Sequence, residues 1–204
     1  MKKYFTLLIG ISSLLSAYAT ENTPKELPDN VPGVTQVTQL SWYEIDPGVR
    51  TYLILMSAIT MELSAELPDG GVEATPEQQF EMMQKVMDNT PTDSLTGEYL
   101  QFIQEAKVVN TKIVNTLKAE KPTDVRGVNA VTARYQHELD ALYEKYPQAA
   151  HYFKPESQMA RSFMMLQETD IQRVQIQAMM AGKNQKEIMQ TIAAHLRRVA
   201  ADQF

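Results

Sequence analysis

The chain has 204 residues, contains no cysteine and carries a formal net charge of −6 at neutral pH. Without cysteine, a hydrophobic core and not a set of disulfide bonds must stabilise the fold. The acidic balance argues against a general nucleic-acid binder, whose affinity comes from basic side chains that neutralise phosphates. It also argues against simple electrostatic docking on anionic lipid.

The N-terminal segment up to Ala19 has the pattern of a secretory signal peptide. Lys2 and Lys3 precede an uncharged stretch, and the segment ends in Ala17-Tyr18-Ala19. A basic start, a short apolar stretch and an A-x-A ending are typical of a cleaved leader. The stretch is too short to span a bilayer, which needs about 20 apolar residues. We expect cleavage after Ala19 and a periplasmic or secreted product without a membrane span; an uncleaved anchor is the alternative.

Residues 20–40 are predicted to form a flexible or extended arm. Its three prolines remove backbone donors and bias the preceding residues to extended conformations. Trp42 and Tyr43 follow the arm, and they either clamp it onto the rest of the protein or form a binding aromatic surface at its rim. Residues 41–204 are predicted to form a single domain.

Six helix-like segments follow, and no stretch alternates as a β-strand would. The first begins with Asp46 as N-cap and Pro47 in the first turn, and it is apolar nearly all round, which favours a central position. The other segments are predicted over 75–89, 93–119, 124–146, 155–181 and from 184 onward. Short connections indicate an all-α, antiparallel helical bundle of about five to six helices.

Two polar residues interrupt the apolar faces of the last two segments. Asp170 lies on the inner face of the fifth segment, and His195 lies at the edge of the inner face of the sixth. In a hairpin about Lys183 the two residues lie at nearly the same level, because each helical residue rises about 1.5 Å. A buried charge needs a partner, so we expect Asp170 and His195 to face each other. We interpret them as a polar pair that fixes the register; a pH-sensitive latch or half of a catalytic dyad is the alternative.

Methionine is the compositional outlier, with 12 residues. Met83, Met87 and Met159 lie on predicted inner faces, where core filling explains them. Met165 and Met179 lie about 120° and 160° from the inner stripe of their helix, and we interpret them as candidates for an adaptable protein-binding surface. Binding of Cu(I) by thioethers is the alternative.

No serine nucleophile motif, nucleotide-binding loop or metal-ligand spacing is present. We therefore expect no catalytic residue, no cofactor and no bound metal, and we expect a protein partner. Two alternatives remain open. One is a hydrolase or metal-dependent enzyme built from carboxylates on different helices, and the other is a methionine-based metal carrier.

The run from Thr75 to Phe80, TPEQQF, resembles the LTxxQ signature of Spy-like periplasmic helical chaperones. Ala74 stands where that family has leucine, and this chain is acidic where the binding surface of those chaperones is often basic. The resemblance implies a helical protein that binds other proteins without catalysis. The function that we expect is thus that of an exported, non-catalytic interaction protein, with a chaperone-like role as one form of it.

Overall fold

A computed structural model of the chain describes residues 45–67, 76–122 and 125–202. Within these ranges the chain is an all-α helical bundle without strands, so the predicted fold class is confirmed. The predicted arm, and with it Trp42 and Tyr43, lies outside the described residues. The helices are α1 (Pro47–Glu66), α2 (Pro76–Asn89), α3 (Gly97–Glu120), α4 (Val125–Arg134), α5 (Gln136–Lys145), α6 (Pro147–Phe153), α7 (Gln158–Met180) and α8 (Gln185–Ala201).

The first helix, α1, packs mainly against α2 and α8, whereas α3 packs against four helices, α2, α4, α5 and α6. The predicted start of α1 is confirmed, since the Asp46 side chain accepts a hydrogen bond from the amide of Val49 at 3.0 Å. The hydroxyls of Ser57 and Thr60 donate to carbonyls four residues earlier, so these polar groups are satisfied when they are buried. The buried apolar side chains of α1 cover most of its circumference: Val49, Tyr52, Leu53, Ile54, Ala58, Ile59, Met61 and Ala65.

The third helix begins at Gly97, so the predicted start at Asp93 is wrong. The amide of Leu95 bonds the carbonyl of Thr92 in a turn, and the hydroxyl of Ser94 donates to the carbonyl of Gly48 on α1 at 3.0 Å. This contact holds the loop against the first turn of α1. A Cβ atom at Gly48 would overlap the carbonyl oxygen of Ser94, so the close approach requires glycine.

The segment predicted as one helix over 124–146 is two helices, α4 and α5, which meet at Tyr135. The amide of Tyr135 bonds the carbonyl of Thr132, three residues earlier. In a continuous α-helix it would bond the carbonyl four residues earlier. The hydroxyl of Thr132 also bonds backbone carbonyls of α4, a competing interaction that bends helices. The hydroxyl of Tyr135 lies 2.6 Å from that of Thr116 on α3, which holds the turn in place.

The short helix α6 is not predicted from the sequence, and its cap comes from a distant residue. The Glu98 carboxylate accepts hydrogen bonds from the amides of Gln148 and Ala149 at 2.7 and 3.2 Å. The next helix, α7, begins at Gln158 and not at Pro155 as predicted, because the Ser157 side chain caps the amide of Ala160.

The last two helices form the predicted hairpin. Gly182 has φ +74°, and its amide bonds the carbonyl of Met179, while the amide of Lys183 bonds the carbonyl of Ala178. These bonds form a Schellman motif, which confirms the predicted left-handed cap. Asn184 and Glu187 form the predicted capping box at the start of α8. Among the described residues, no helix has the length and apolarity that a membrane crossing requires.

Candidate protein-binding face of α7

Helix α7 has one face in the core and an apolar face towards solvent. Its inner face buries Phe163, Ile171 and Val174, and its main neighbours are α6 and α8. Among the side chains that the structure describes, five large hydrophobic ones are exposed, and four of them lie on α7: Met165 (54% exposed), Ile176 (57%), Met179 (49%) and Met180 (84%). The fifth is Val108 on α3, at 58%.

Three of the exposed hydrophobic side chains of α7 belong to a stripe along the helix. Steps of four and three residues connect its members, which are Met165, Thr169, Gln172, Ile176 and Met179. Residues at this spacing lie on one face, and the stripe is about 21 Å long at 1.5 Å per residue. We call this stripe, together with Met180, the α7 outer face. Met165 and Met179 are predicted from the sequence, whereas Ile176 and Met180, which the same spacing connects to them, are not.

The structure brings Asp170 and His195 together at the edge of the hairpin interface. The Nε2 atom of His195 lies 2.5 Å from Oδ2 of Asp170, and the two side chains are 16% and 21% exposed. Arg173 donates to the other carboxylate oxygen of Asp170 at 2.6 Å. Burial raises the pKa of Asp170, but the hydrogen bonds from Arg173 and His195 outweigh burial and hold that pKa below its ordinary value.

This arrangement links two helices and offers no nucleophile. In the described ranges, the hydrogen bond of His195 leads to Asp170 and not to a serine or threonine hydroxyl. The described residues also contain no group of three or more histidine or acidic side chains that could hold a metal ion. What the geometry supports directly is a polar cross-link that fixes how α7 lies on α8.

The methionines divide into two groups. Met61, Met82, Met83 and Met189 are buried, and Met87 and Met159 are half-buried. Met165 and Met179 are exposed but lie about 21 Å apart along the helix axis, so they cannot ligate the same ion. The third exposed methionine, Met180, is adjacent to Met179, so at most two of the exposed thioethers lie near each other.

A cavity of about 310 Å³ lies between the first turns of α1 and the end of α8. This cavity is not predicted from the sequence; its lining includes Pro47, Ile54, Val199 and the buried Arg50. Asp202 is the one carboxylate among its described lining residues. A hydrolase or metal-dependent enzyme built from several carboxylates therefore gains no support from this cavity.

Comparison of the chain with protein-family models, curated proteins and solved structures finds no match. Among the described side chains, four of the five exposed large hydrophobic residues lie on α7.

Proposed function

We propose that the chain is an exported, non-catalytic helical protein that binds another protein through the α7 outer face. The observation that carries this proposal is the grouping of four of the five exposed large hydrophobic side chains of the described ranges on one helix. Burying a methionine or isoleucine side chain is worth about 1.5–3 kcal/mol. Met165, Ile176 and Met179 are each already about half covered, so a partner that buries them gains about half of that amount from each.

The chemistry of the face suits a protein partner. Its centre carries no charge, while Glu168 and Arg173 lie at its edges, which matches the apolar core and polar rim of protein interfaces. Methionine side chains adapt to the shape of a partner. The inner face of α7 and the contact between Asp170 and His195 hold the helix in place before binding, which lowers the ordering cost of association.

Export is the second part of the proposal, and it is supported by Lys2, Lys3 and the Ala17-Tyr18-Ala19 ending. N-terminal sequencing of the protein from a periplasmic or secreted fraction tests this part. We expect Thr20 as the first residue. Replacing Ala19 with lysine should block cleavage, because the processing site accepts small residues. A wild-type chain that keeps Met1 and remains in the cytosol would contradict export.

Affinity capture from the native extract, compared between matched variants, tests the binding part. We expect the wild-type chain to retain a protein that the Ile176→Glu variant loses, because a buried carboxylate without a partner is costly. The control is Val108→Glu, which puts the same charge on an equally exposed β-branched residue of α3 and should retain the protein. Equal capture by all three chains would show that the α7 outer face is not the binding surface.

A further inference from the structure

The spacing of the α7 outer face specifies a kind of partner. Steps of four and three residues are the core repeat of a two-stranded coiled coil. One core position of the seven-residue repeat is occupied by Met165, Gln172 and Met179, and the other is occupied by Thr169 and Ile176. Three of these five positions are apolar, and the seam faces solvent while α7 buries a separate stripe of Phe163, Ile171 and Val174 in its own core. The seam thus has the spacing along which a second helix packs in a coiled coil.

We propose that this helix is α7 of a second copy of the chain, aligned in parallel. The inference rests on the proposed function, since it names the partner of the same face. The charges at the two edges of the seam support it. Glu168 lies at one edge and Arg173 at the opposite edge, five residues later. In a parallel coiled coil, edge positions with this offset face each other across the interface.

Each Glu168 of the parallel dimer therefore lies opposite Arg173 of the second copy, and the two-fold symmetry makes the pair twice. In an antiparallel arrangement, the edge that carries Glu168 faces the same edge of the second copy. The edge that carries Arg173 likewise faces the Arg173 edge of the second copy. The charges thus favour the parallel alignment.

The existing contacts of Arg173 leave it able to make this pair. Its guanidinium donates to Asp170 at 2.6 Å, while its side chain is 61% exposed. A guanidinium has five N–H donors, so the bond to Asp170 can persist while others reach a second carboxylate. The link from Asp170 to His195 fixes this group on the hairpin, which positions Arg173 at the edge of the seam.

The polar residues of the seam set the register and limit the affinity. In the parallel alignment, Gln172 lies opposite Gln172 of the second copy, where two amides can hydrogen-bond; a polar core residue of this kind specifies alignment at a cost in stability. The seam is only about 21 Å long. We therefore expect a weak dimer, with less buried area than the roughly 1,200 Å² at the lower end of stable interfaces.

The absence of native cysteine permits a direct test by single-cysteine cross-linking. Met165→Cys and Met179→Cys lie near opposite ends of the seam. In oxidised glutathione, we expect each variant alone to form a disulfide-linked dimer, because in a parallel dimer each position faces its own equivalent. An antiparallel dimer cross-links only when the two variants are mixed, and that result would overturn the parallel alignment. Val108→Cys is the control for random collision and should remain monomeric.

The edge charges have their own test in sedimentation velocity over a range of protein concentrations. Glu168→Arg and Arg173→Glu should each weaken the dimer about tenfold, because each variant places like charges opposite each other. A mixture of the two variants restores opposite charges at both pairs and should associate about as well as wild type. Circular dichroism checks that Arg173→Glu stays folded without its bond to Asp170. A mixture as weak as the separate variants would overturn the edge pairing.

Different results would contradict the dimer and the proposed function. If wild type stays monomeric at all concentrations and neither cysteine variant cross-links, a second copy is not the partner. The capture experiment with Ile176→Glu and Val108→Glu then decides whether the face binds a different protein. If capture also shows no dependence on Ile176, both proposals are wrong.

Discussion

The imidazole of His195 and the carboxylate of Asp170 join α7 to α8, with Nε2 and Oδ2 only 2.5 Å apart. The two residues are 25 positions apart in the chain, and they meet because the Gly182 turn places them at the same level of the hairpin. Arg173 donates a hydrogen bond to the other oxygen of the same carboxylate. The pair thus connects the helix that carries the outer face to its neighbour in the hairpin.

The first prediction concerns the pH dependence of this link. The pKa of Asp170 in the folded chain is lower than its ordinary value of 3.8, so its ionised form contributes stability above that value. This contribution is lost as the pH falls through the lower folded pKa, because the unfolded chain takes up the proton first. Replacing Asp170 with asparagine should lower the free energy of unfolding near neutral pH by about 1–2 kcal/mol. In strong acid the two chains should be equally stable.

Urea unfolding of both chains from neutral pH into strong acid measures this difference. Asp140→Asn is the matched control, since Asp140 is an exposed carboxylate on α5 whose side chain bonds Gln136. The control should unfold like wild type at every pH. A cost of Asp170→Asn that stays constant down to the lowest pH would show that the charge of Asp170 does not contribute to the link.

The second prediction concerns Gly48, where replacement by alanine should lower the stability of the fold and not raise it. In a helix, replacing glycine with alanine normally stabilises the fold by about 0.5–1 kcal/mol. At Gly48 the added Cβ would overlap the backbone carbonyl of Ser94, and a backbone group cannot rotate away. We expect Gly48→Ala to lower the free energy of unfolding by about 1–3 kcal/mol, the usual cost of overpacking.

Chemical denaturation of Gly48→Ala beside Gly182→Ala separates crowding from backbone strain. Gly182 has φ +74° and no atom within 4 Å of an added Cβ, so its substitution should cost only the strain of a left-handed residue, about 1–2 kcal/mol. A stabilising effect of Gly48→Ala would mean that the loop around Ser94 does not rest on α1 in solution.

Local capping signals explain how much of this fold could be predicted. Asp46, Gly182 and Asn184 act on amides or carbonyls within a few residues, so the sequence was sufficient to place them. The contact between Asp170 and His195 also follows from counting residues on either side of a turn. The break at Tyr135 could not be predicted in this way, because its hydroxyl contacts Thr116, which lies on another helix.

Only part of the α7 outer face could be predicted, because exposure also depends on tertiary contacts. The periodicity of α7 identifies which residues face away from its own core stripe, but exposure depends on which neighbours cover that side. Met164 and Leu166 lie off the buried stripe of Phe163, Ile171 and Val174 and are half-buried, whereas Ile176, also off that stripe, is 57% exposed. Which helices cover that side of α7 cannot be predicted from a single sequence. The cavity between α1 and α8 also depends on how the helices pack, and it could not be predicted either.

The third prediction concerns Glu98, which caps α6 from a distance of 50 residues in sequence. Removing a capping side chain costs about 0.5–2 kcal/mol. We expect Glu98→Ala to lower the stability by this amount and to increase hydrogen exchange of the Gln148 and Ala149 amides specifically. Glu144→Ala, at an exposed carboxylate on α5, is the control. Unchanged protection of the two amides in Glu98→Ala would show that α6 does not depend on this cap.

The fourth prediction asks what holds α8 against α1. Arg197 forms a bidentate ion pair with Glu62 of α1, but both side chains are at least 40% exposed. Exposed pairs contribute about 0.2–1 kcal/mol. Ile192 on the same helix is completely buried, and replacing a buried isoleucine with alanine costs about 2–5 kcal/mol. Apolar packing should therefore dominate.

Denaturant unfolding of Ile192→Ala and Arg197→Ala, at low and at high salt, compares the two contributions. We expect the isoleucine variant to lose several times more stability than the arginine variant, at both salt concentrations. The smaller effect of Arg197→Ala should shrink further at high salt, because exposed charges are screened. If Arg197→Ala cost as much as Ile192→Ala, α8 would be held by its charges, and the packing of its apolar stripe on α1 would not explain the bundle.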